Sequence, residues 1–377
     1  MRNKKIVNLL PVTKVIKIGI IKSKYMFKTT QIVTTPSVEC LLKLWVRRYI
    51  PDLSSLSLSQ EILIASLTEA VSPEGRAQTV ARLKNNLLDI NSQMAWLQTK
   101  SLHNYIPNVL DFNEAKQITD SALIVYKALL DFYQKQASHT TALITKVSQT
   151  SLNLEEVLIA EIGISAIKEL TSTLEPTLIA FQEQHMACKD WCTLGFMTTQ
   201  LKFTNKLILN QITPIEKVLL SPYINFIEEQ VAIPWQRVCV ASAKHDLGSP
   251  VFKIVEQMLP ISEDIAHTVY HKLVKLFPNH CSRSGSLNTP IVAQSSIRDL
   301  NMFQAYLWLC VLEESLIPVE QELVDLCVMV MEKLEVKWEI LQQWNQILMD
   351  EIIHRVKPEY QNVLSPYTQG MILAFDR

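Results

Sequence analysis

Residues 76–99 read Arg76-Ala77-Gln78-Thr79-Val80-Ala81-Arg82-Leu83-Lys84-Asn85-Asn86-Leu87-Leu88-Asp89-Ile90-Asn91-Ser92-Gln93-Met94-Ala95-Trp96-Leu97-Gln98-Thr99. Val80, Leu83, Leu87, Ile90, Met94 and Leu97 recur at intervals of three and four, which gathers them on one side of an α-helix. Arg82, Lys84, Asn85 and Asp89 fall on the polar side. The spacing predicts one long amphipathic helix from Arg76 to about Thr99. Before it, Ser72-Pro73-Glu74-Gly75 reads as a turn written in breaker residues. A helix opened by Ser59, with Glu61, Ile62, Ile64 and Leu67, precedes that turn. A shorter helix from Ser37, with Cys40, Leu44 and Trp45 on its apolar side, ends at Pro51 and is expected to cap the first domain. The period returns over residues 114–136, where Ile118, Leu123, Tyr126, Leu129, Leu130 and Tyr133 carry it, then over 153–174, 176–192 and about 198–210.

The chain has 377 residues, enough for two hydrophobic cores of ordinary size. Only 7 glycines leave little provision for the tight turns of β-hairpins or phosphate loops. An all-α fold follows. The step Thr213-Pro214-Ile215-Glu216 has the form of an N-cap with proline in the first helical turn, and we place a boundary there. The expected organisation is a basic leader over 1–36, a helical bundle over 37–212 and a second helical domain over 213–377. In the second domain helices are expected near 216–229, 235–245, 251–259, 262–277, 289–312, 318–334 and 336–356, with a short final piece from Pro358. Residues 278–288, including Cys281-Ser282-Arg283-Ser284-Gly285-Ser286, read as irregular chain. No repeat of fixed period is present, which argues against a solenoid.

With 36 basic against 37 acidic residues, no field of one sign exists to draw in nucleic acid. The seven cysteines, an odd and scattered set, point to a reducing compartment. No stretch offers the roughly 20 uninterrupted apolar residues of a membrane span. The first 25 residues carry Arg2, Lys4, Lys5, Lys14, Lys17, Lys22 and Lys24, and no acid precedes Glu39. They read either as a membrane-surface or targeting segment or, more simply, as sequence upstream of a true start at Met26.

Candidate chemistry is thin. His267 and His271 stand four apart, so both imidazoles could face one metal ion or lie near a haem. The zinc-protease glutamate is missing between them, and two surface histidines are the simpler reading. His185, Cys188 and Cys192 share a helical face, without a fourth ligand nearby, and read as packing. No metal site is assigned. Serine elbows and phosphate loops need closely spaced glycines that are absent here. The adjacent pairs Glu155-Glu156 and Glu313-Glu314 point about 100° apart on a helix, so neither pair can share one substrate. No catalytic residue is assigned.

The segment Ser295-Ser296-Ile297-Arg298-Asp299-Leu300-Asn301-Met302-Phe303-Gln304-Ala305-Tyr306 resembles the central helix of the phycobilisome proteins, the globin-like light-harvesting subunits of cyanobacteria and red algae. That family writes Cys-Ile-Arg-Asp-Leu followed by an aromatic residue and a Tyr. Ile297, Arg298, Asp299, Leu300 and Tyr306 match, and Phe303 keeps an aromatic. Gly285 and Thr289 fall where the family has a glycine-bearing loop and a helix start. Residues 316–340 look like the next helix pair. The resemblance covers less than half of the chain and implies a globin-like, phycobilisome-type domain over 213–377.

By that resemblance Arg298 would pair with a bilin propionate and Asp299 would accept from the pyrrole N–H groups. The family's thioether cysteine is replaced by Ser296, two basic positions by Ile291 and Val292, and a later Arg by Ala305. Any bilin would therefore be held noncovalently or atypically, with Cys281 and Cys310 the nearest other thiols. The reading without a ligand makes Arg298 and Asp299 a local ion pair. The implied role is non-catalytic, in light-harvesting assembly or its regulation, with phycobilisome subunits as protein partners, in the cytoplasm or peripheral to a thylakoid membrane, and oligomerisation is compatible with it. Two alternatives stand beside it: a helical protein-interaction module, and a haem or tetrapyrrole sensor that would need His267, His271 or His280 in an apolar pocket.

Overall fold

The computed structural model describes residues 35–46, 56, 60–84, 88–103, 112–136, 169–170, 173–174, 177, 192–232, 234–283 and 285–376. Among these the protein is all-α apart from one ribbon of two short antiparallel strands, β1 (Cys281–Ser282) and β2 (Gly285–Ser286). That ribbon lies in the stretch expected to be irregular.

The first helices are α1 (Pro36–Val46), α2 (Gln60–Val71), α3 (Pro73–Arg82), α4 (Leu88–His103) and α5 (Phe112–Lys135). Residues 72–75 do not form an open turn. Ser72 alone separates α2 from α3, and its Oγ accepts from the Gly75 N–H at 3.0 Å, a side-chain cap with Pro73 in the first turn. Such a tight reversal needs a glycine, because a Cβ on Gly75 would lie 2.2 Å from the Glu69 carbonyl oxygen.

Within the stretch 76–99, α3 ends at Arg82, Leu83 and Lys84 continue in π-helical geometry, and α4 begins at Leu88, with residues 85–87 outside the described set. Val80 and Leu83 are buried as the period requires, yet Ile90, Met94 and Leu97 are 49, 44 and 57 % exposed. The face that α4 buries carries Asn91, Ser92 and Ala95. It packs against α6 (Cys192–Leu209). Asn91 and Gln211 exchange side-chain hydrogen bonds at 3.2 and 2.9 Å, and Gln200 donates to the Ser92 carbonyl at 3.0 Å. Polar side chains thus line this face of α4, and part of the apolar stripe is left outside. The helices expected over 153–174 and 176–192 lie largely outside the described residues, as do His185, Cys188 and the Cys192 side chain.

Helix α7 (Pro214–Ala232) begins at the N-cap the sequence announces, here a reciprocal capping box. The Thr213 N–H donates to Glu216 Oε2 at 2.8 Å, and the Glu216 N–H donates to Thr213 Oγ1 at 3.3 Å. Glu216 also accepts from Thr79 (2.7 Å) and from both terminal nitrogens of Arg82 (2.8 and 3.1 Å), which ties α7 to α3. α7 packs on α2, α5 and α6. Burial pushes the Glu216 carboxyl pKa up, but the Thr213 backbone, the Thr79 and Thr213 hydroxyls and Arg82 outweigh it and hold it below its ordinary value.

The remaining helices are α8 (Trp235–Ala241), α9 (Pro250–Met258), α10 (Ser262–Leu276), α11 (Pro290–Glu313), α12 (Val324–Lys333), α13 (Trp338–Arg355) and α14 (Pro358–Phe375). A π-helical turn, Pro318–Leu323, leads into α12. α11 is central: every residue from Phe303 to Leu312 is buried, and α8, α9, α10, the π-turn and α14 pack around it. The final piece is not short, since α14 runs 18 residues. Its end is held by the Trp338 indole N–H, which donates to the Phe375 carbonyl at 2.8 Å. Phe303, Phe375 and Trp338 stack in series at 5.4 and 5.7 Å between ring centroids. α1 packs on α8 and α9, with Cys40 Sγ donating to Glu256 at 3.1 Å. The side chain of Trp45 lies outside the described set.

Two predictions follow from this packing. Gly75→Ala, normally favourable inside a helix, is expected to destabilise the protein by about 1–3 kcal/mol, because the backbone at Glu69 cannot yield to the new methyl; urea unfolding measures the sign. Glu216→Gln is expected to cost about 1–2 kcal/mol near neutrality. A carboxyl whose pKa falls on folding adds stability above its unfolded pKa and loses it as the pH drops through the folded value. The wild-type advantage over the Gln variant should therefore shrink as the pH falls below the ordinary carboxyl value of 4.5, and an unchanged gap would refute the assignment.

Candidate functional site

Arg298 and Asp299 lie in the first half of α11, before its fully buried stretch. The helix starts at Thr289, whose hydroxyl donates to the Ser286 carbonyl at 2.9 Å just after the ribbon. Gly285 adopts φ +119°, a backbone conformation open to glycine, so the glycine-bearing loop and the helix start fall as the sequence indicates.

Arg298 donates to Asp299 Oδ1 through Nε (2.9 Å) and a terminal nitrogen (2.6 Å). Both side chains are partly buried, 28 and 20 % exposed. They are not isolated at a surface. Lys202 of α6 and Glu228 of α7 lie within electrostatic reach of both groups or of Arg298. Burial acts first to lower the Arg298 pKa, but Asp299 and Glu228 outweigh it and the net shift is upward. Lys202 is pushed down, by burial foremost and then by Arg298, against the pull of Glu228 and Asp299. Two cations and two carboxylates from three helices thus share one partly dry site.

A chain of hydrogen bonds carries this site into the first bundle. Glu228 Oε2 accepts from Asn205 Nδ2 at 2.8 Å. Asn205 Oδ1 accepts from the Tyr126 hydroxyl, which also reaches the Leu201 carbonyl at 3.0 Å. Burial, and then Glu228, push the Tyr126 hydroxyl pKa upward. These hydrogen bonds link α5, α6 and α7, and Glu228 acts on Arg298 of α11 through its charge. Sequence reading places Arg298 and Asp299 together but misses Lys202, Asn205 and Glu228. A local sign is Lys202 and Asn205 three apart on one helix, though Gln200, Thr204 and Lys206 beside them blur it.

Ser296 is 5 % exposed and Cys310 is fully buried, whereas Cys281 is exposed on the ribbon. Tyr306 is buried and hydrogen-bonded to Glu322, whose carboxylate grips Arg237 of α8 at 2.7 and 3.2 Å. Val292 and Ala305 are buried and apolar. Burial pushes the Cys239 and Cys310 thiols up to about 12 and Cys40 to about 11, with Glu256 adding to the shift at Cys40. Thiols held protonated in this way are poor nucleophiles. His267 and His271 are exposed on α10, and His280 is partly exposed after it. Glu313 is exposed and Glu314 leaves the helix at φ +50°. Among the described residues no helix is long and apolar enough to cross a membrane.

With the geometry in view, the chain was compared with protein-family models, curated proteins and solved structures, and none matches.

Arg298→Gln should raise the Lys202 pKa toward its ordinary value of 10.5, read from the Lys Cε resonance in an NMR titration. Folding with a lowered Lys pKa releases protons, so wild-type stability should climb between that lowered value and 10.5. The variant should flatten the climb. An unmoved Lys202 titration would mean that the two cations do not face each other.

Proposed function

We propose that this chain is a non-catalytic assembly or regulatory protein of the phycobilisome type, whose globin-like second half binds protein partners and carries no covalently attached bilin. What carries the reading is the closed charge network at Arg298. A bilin-binding Arg and Asp must present their polar atoms to a ligand, and here Arg298 is turned to Asp299, with Lys202 and Glu228 within electrostatic reach. Ser296 offers a hydroxyl where a thioether needs a thiol. The family resemblance rests on the residues of α11, and the run of ribbon, long helix, bulged helix and two further helices after Gly285 is compatible with it.

The absence of a proposed reaction has its own support. The described buried thiols are held protonated, and Glu216, Glu256 and Glu351, the described carboxylates whose pKa is lowered, serve as ion-pair or capping partners. A haem sensor built on His267 or His271 is not favoured, because both rings face solvent. The remaining alternative is a helical interaction module unrelated to light harvesting. The exposed Ile90, Met94 and Leu97 on α4 would serve either account.

The test is a visible spectrum and a density gradient on the untagged protein from its source cells. The protein should be colourless and sediment with the light-harvesting particles. A visible band that survives denaturant would overturn the claim of no covalent bilin. A protein absent from those particles, or source cells without them, would leave the plain interaction module in its place.

A further inference from the structure

We infer that the exposed face of α10 that carries His267 and His271 binds a divalent transition-metal ion through its two imidazoles. The residues stand four apart within a helix of 15 residues, so their side chains leave the same face one turn apart. Their rings lie 6.5 Å apart between centroids and are inclined at 35°. His267 is 50 % exposed, and His271 is exposed as well. Rotation about exposed side-chain bonds can bring one nitrogen of each ring onto a common ion without disturbing the core. Two histidines at this spacing on one helical face are the arrangement that zinc-binding helices use.

A second feature marks this pair out from two unrelated surface histidines. Glu263, one turn before His267, places Oε1 3.5 Å from His267 Nε2. Its other oxygen accepts from Asn301 Nδ2 of α11 at 2.7 Å, and Asn301 is 3 % exposed. The carboxylate is therefore fixed from the core side and turned toward the imidazole. A carboxylate beside one ring nitrogen of a ligating histidine can set the ring's tautomer and orientation. Glu263 is a positioning residue here. His271 is packed at 5.5 Å against the ring of Tyr270, whose hydroxyl is anchored to the Leu287 carbonyl at 2.8 Å.

Imidazole donors select the ion class: copper, nickel and zinc are preferred over magnesium and calcium, with nickel above cobalt in the usual order. No set of three or more donors is assembled among the described residues, so water completes the coordination and the site stays open to an outside ligand. Metal and proton compete for the same ring nitrogens, and acid should release the ion.

The experiment is isothermal titration of the full, untagged chain with NiCl2, in a Cys281→Ser background that removes the exposed thiol as a rival ligand. One nickel per chain is expected. His267→Ala and His271→Ala should each weaken binding at least tenfold, and Glu263→Gln by about tenfold, the usual effect of losing a histidine's carboxylate partner. His354→Ala, an exposed histidine on α13, should leave affinity unchanged. Circular dichroism identical to the parent keeps the variants interpretable. Undiminished binding in the His267→Ala/His271→Ala double variant, or no binding by the parent at millimolar nickel, would overturn the assignment.

Discussion

The structure depends on one helix that has no solvent face. From Phe303 to Leu312 every residue of α11 is buried, so no single neighbour can satisfy it. α8, α9, α10, the π-turn and α14 must all be in place around it. Each makes its own provision for lying against a buried helix. Gln304 donates to the Ser262 carbonyl at 2.9 Å where α10 begins, and Gly370 lets α14 approach Leu316, whose Cδ1 would lie 2.4 Å from any Cβ. At its C-terminal end the Leu312 carbonyl is met by His245 Nε2 at 2.6 Å, and the Ser37 hydroxyl of α1 caps the His245 carbonyl in turn. The terminus of α11 is thereby linked to a helix more than two hundred residues earlier.

Only the first turns of α11 escape this enclosure, and the charges sit there. Arg298 and Asp299 are followed at once by Leu300, which is fully buried. A pair placed one turn later would enter the fully buried stretch, where removing two charges from water costs several kcal/mol per ion. At their actual position they retain some solvent and gain Lys202 and Glu228 as neighbours. Such a four-charge cluster adds little net stability, because burial works against Arg298 and Lys202.

Local chemistry was readable in the amino-acid pattern, and long-range chemistry was not. The N-cap at Thr213 is local and could be read directly, as could the helical period around Tyr126 and Leu129. The partners of Glu216 on α3 could not be, because Thr79 and Arg82 lie more than a hundred positions away. The exposure of Ile90, Met94 and Leu97 was missed for a related reason. Periodicity reports which side chains share a face, while the side that faces inward is decided by the neighbour, here through Gln200 and Gln211. The π-helical geometry at Leu83 and Lys84 shifts the helical phase after Arg82, and residues 83–99 contain no proline or glycine to announce it. Arg298 and Asp299 were picked out as a pair; Lys202, Asn205 and Glu228 were not, since a pattern of adjacent residues carries no information about α6 and α7.

The same enclosure bears on what the chain can bind. A ligand at Arg298 would have to displace Asp299 from the guanidinium and leave Glu228 and Lys202 to find new partners in a site already short of water. That rearrangement costs part of whatever the ligand gains, and a truncated partner in a buried charge cluster is expensive to leave unmet. On the outer face of α10 the balance is reversed. There the imidazoles are hydrated and mobile, and Glu263 is held in advance by Asn301, so an ion replaces water without dismantling any contact of the core. Binding capacity in this fold therefore lies outside the ring of helices around α11, on faces such as α10 and α4.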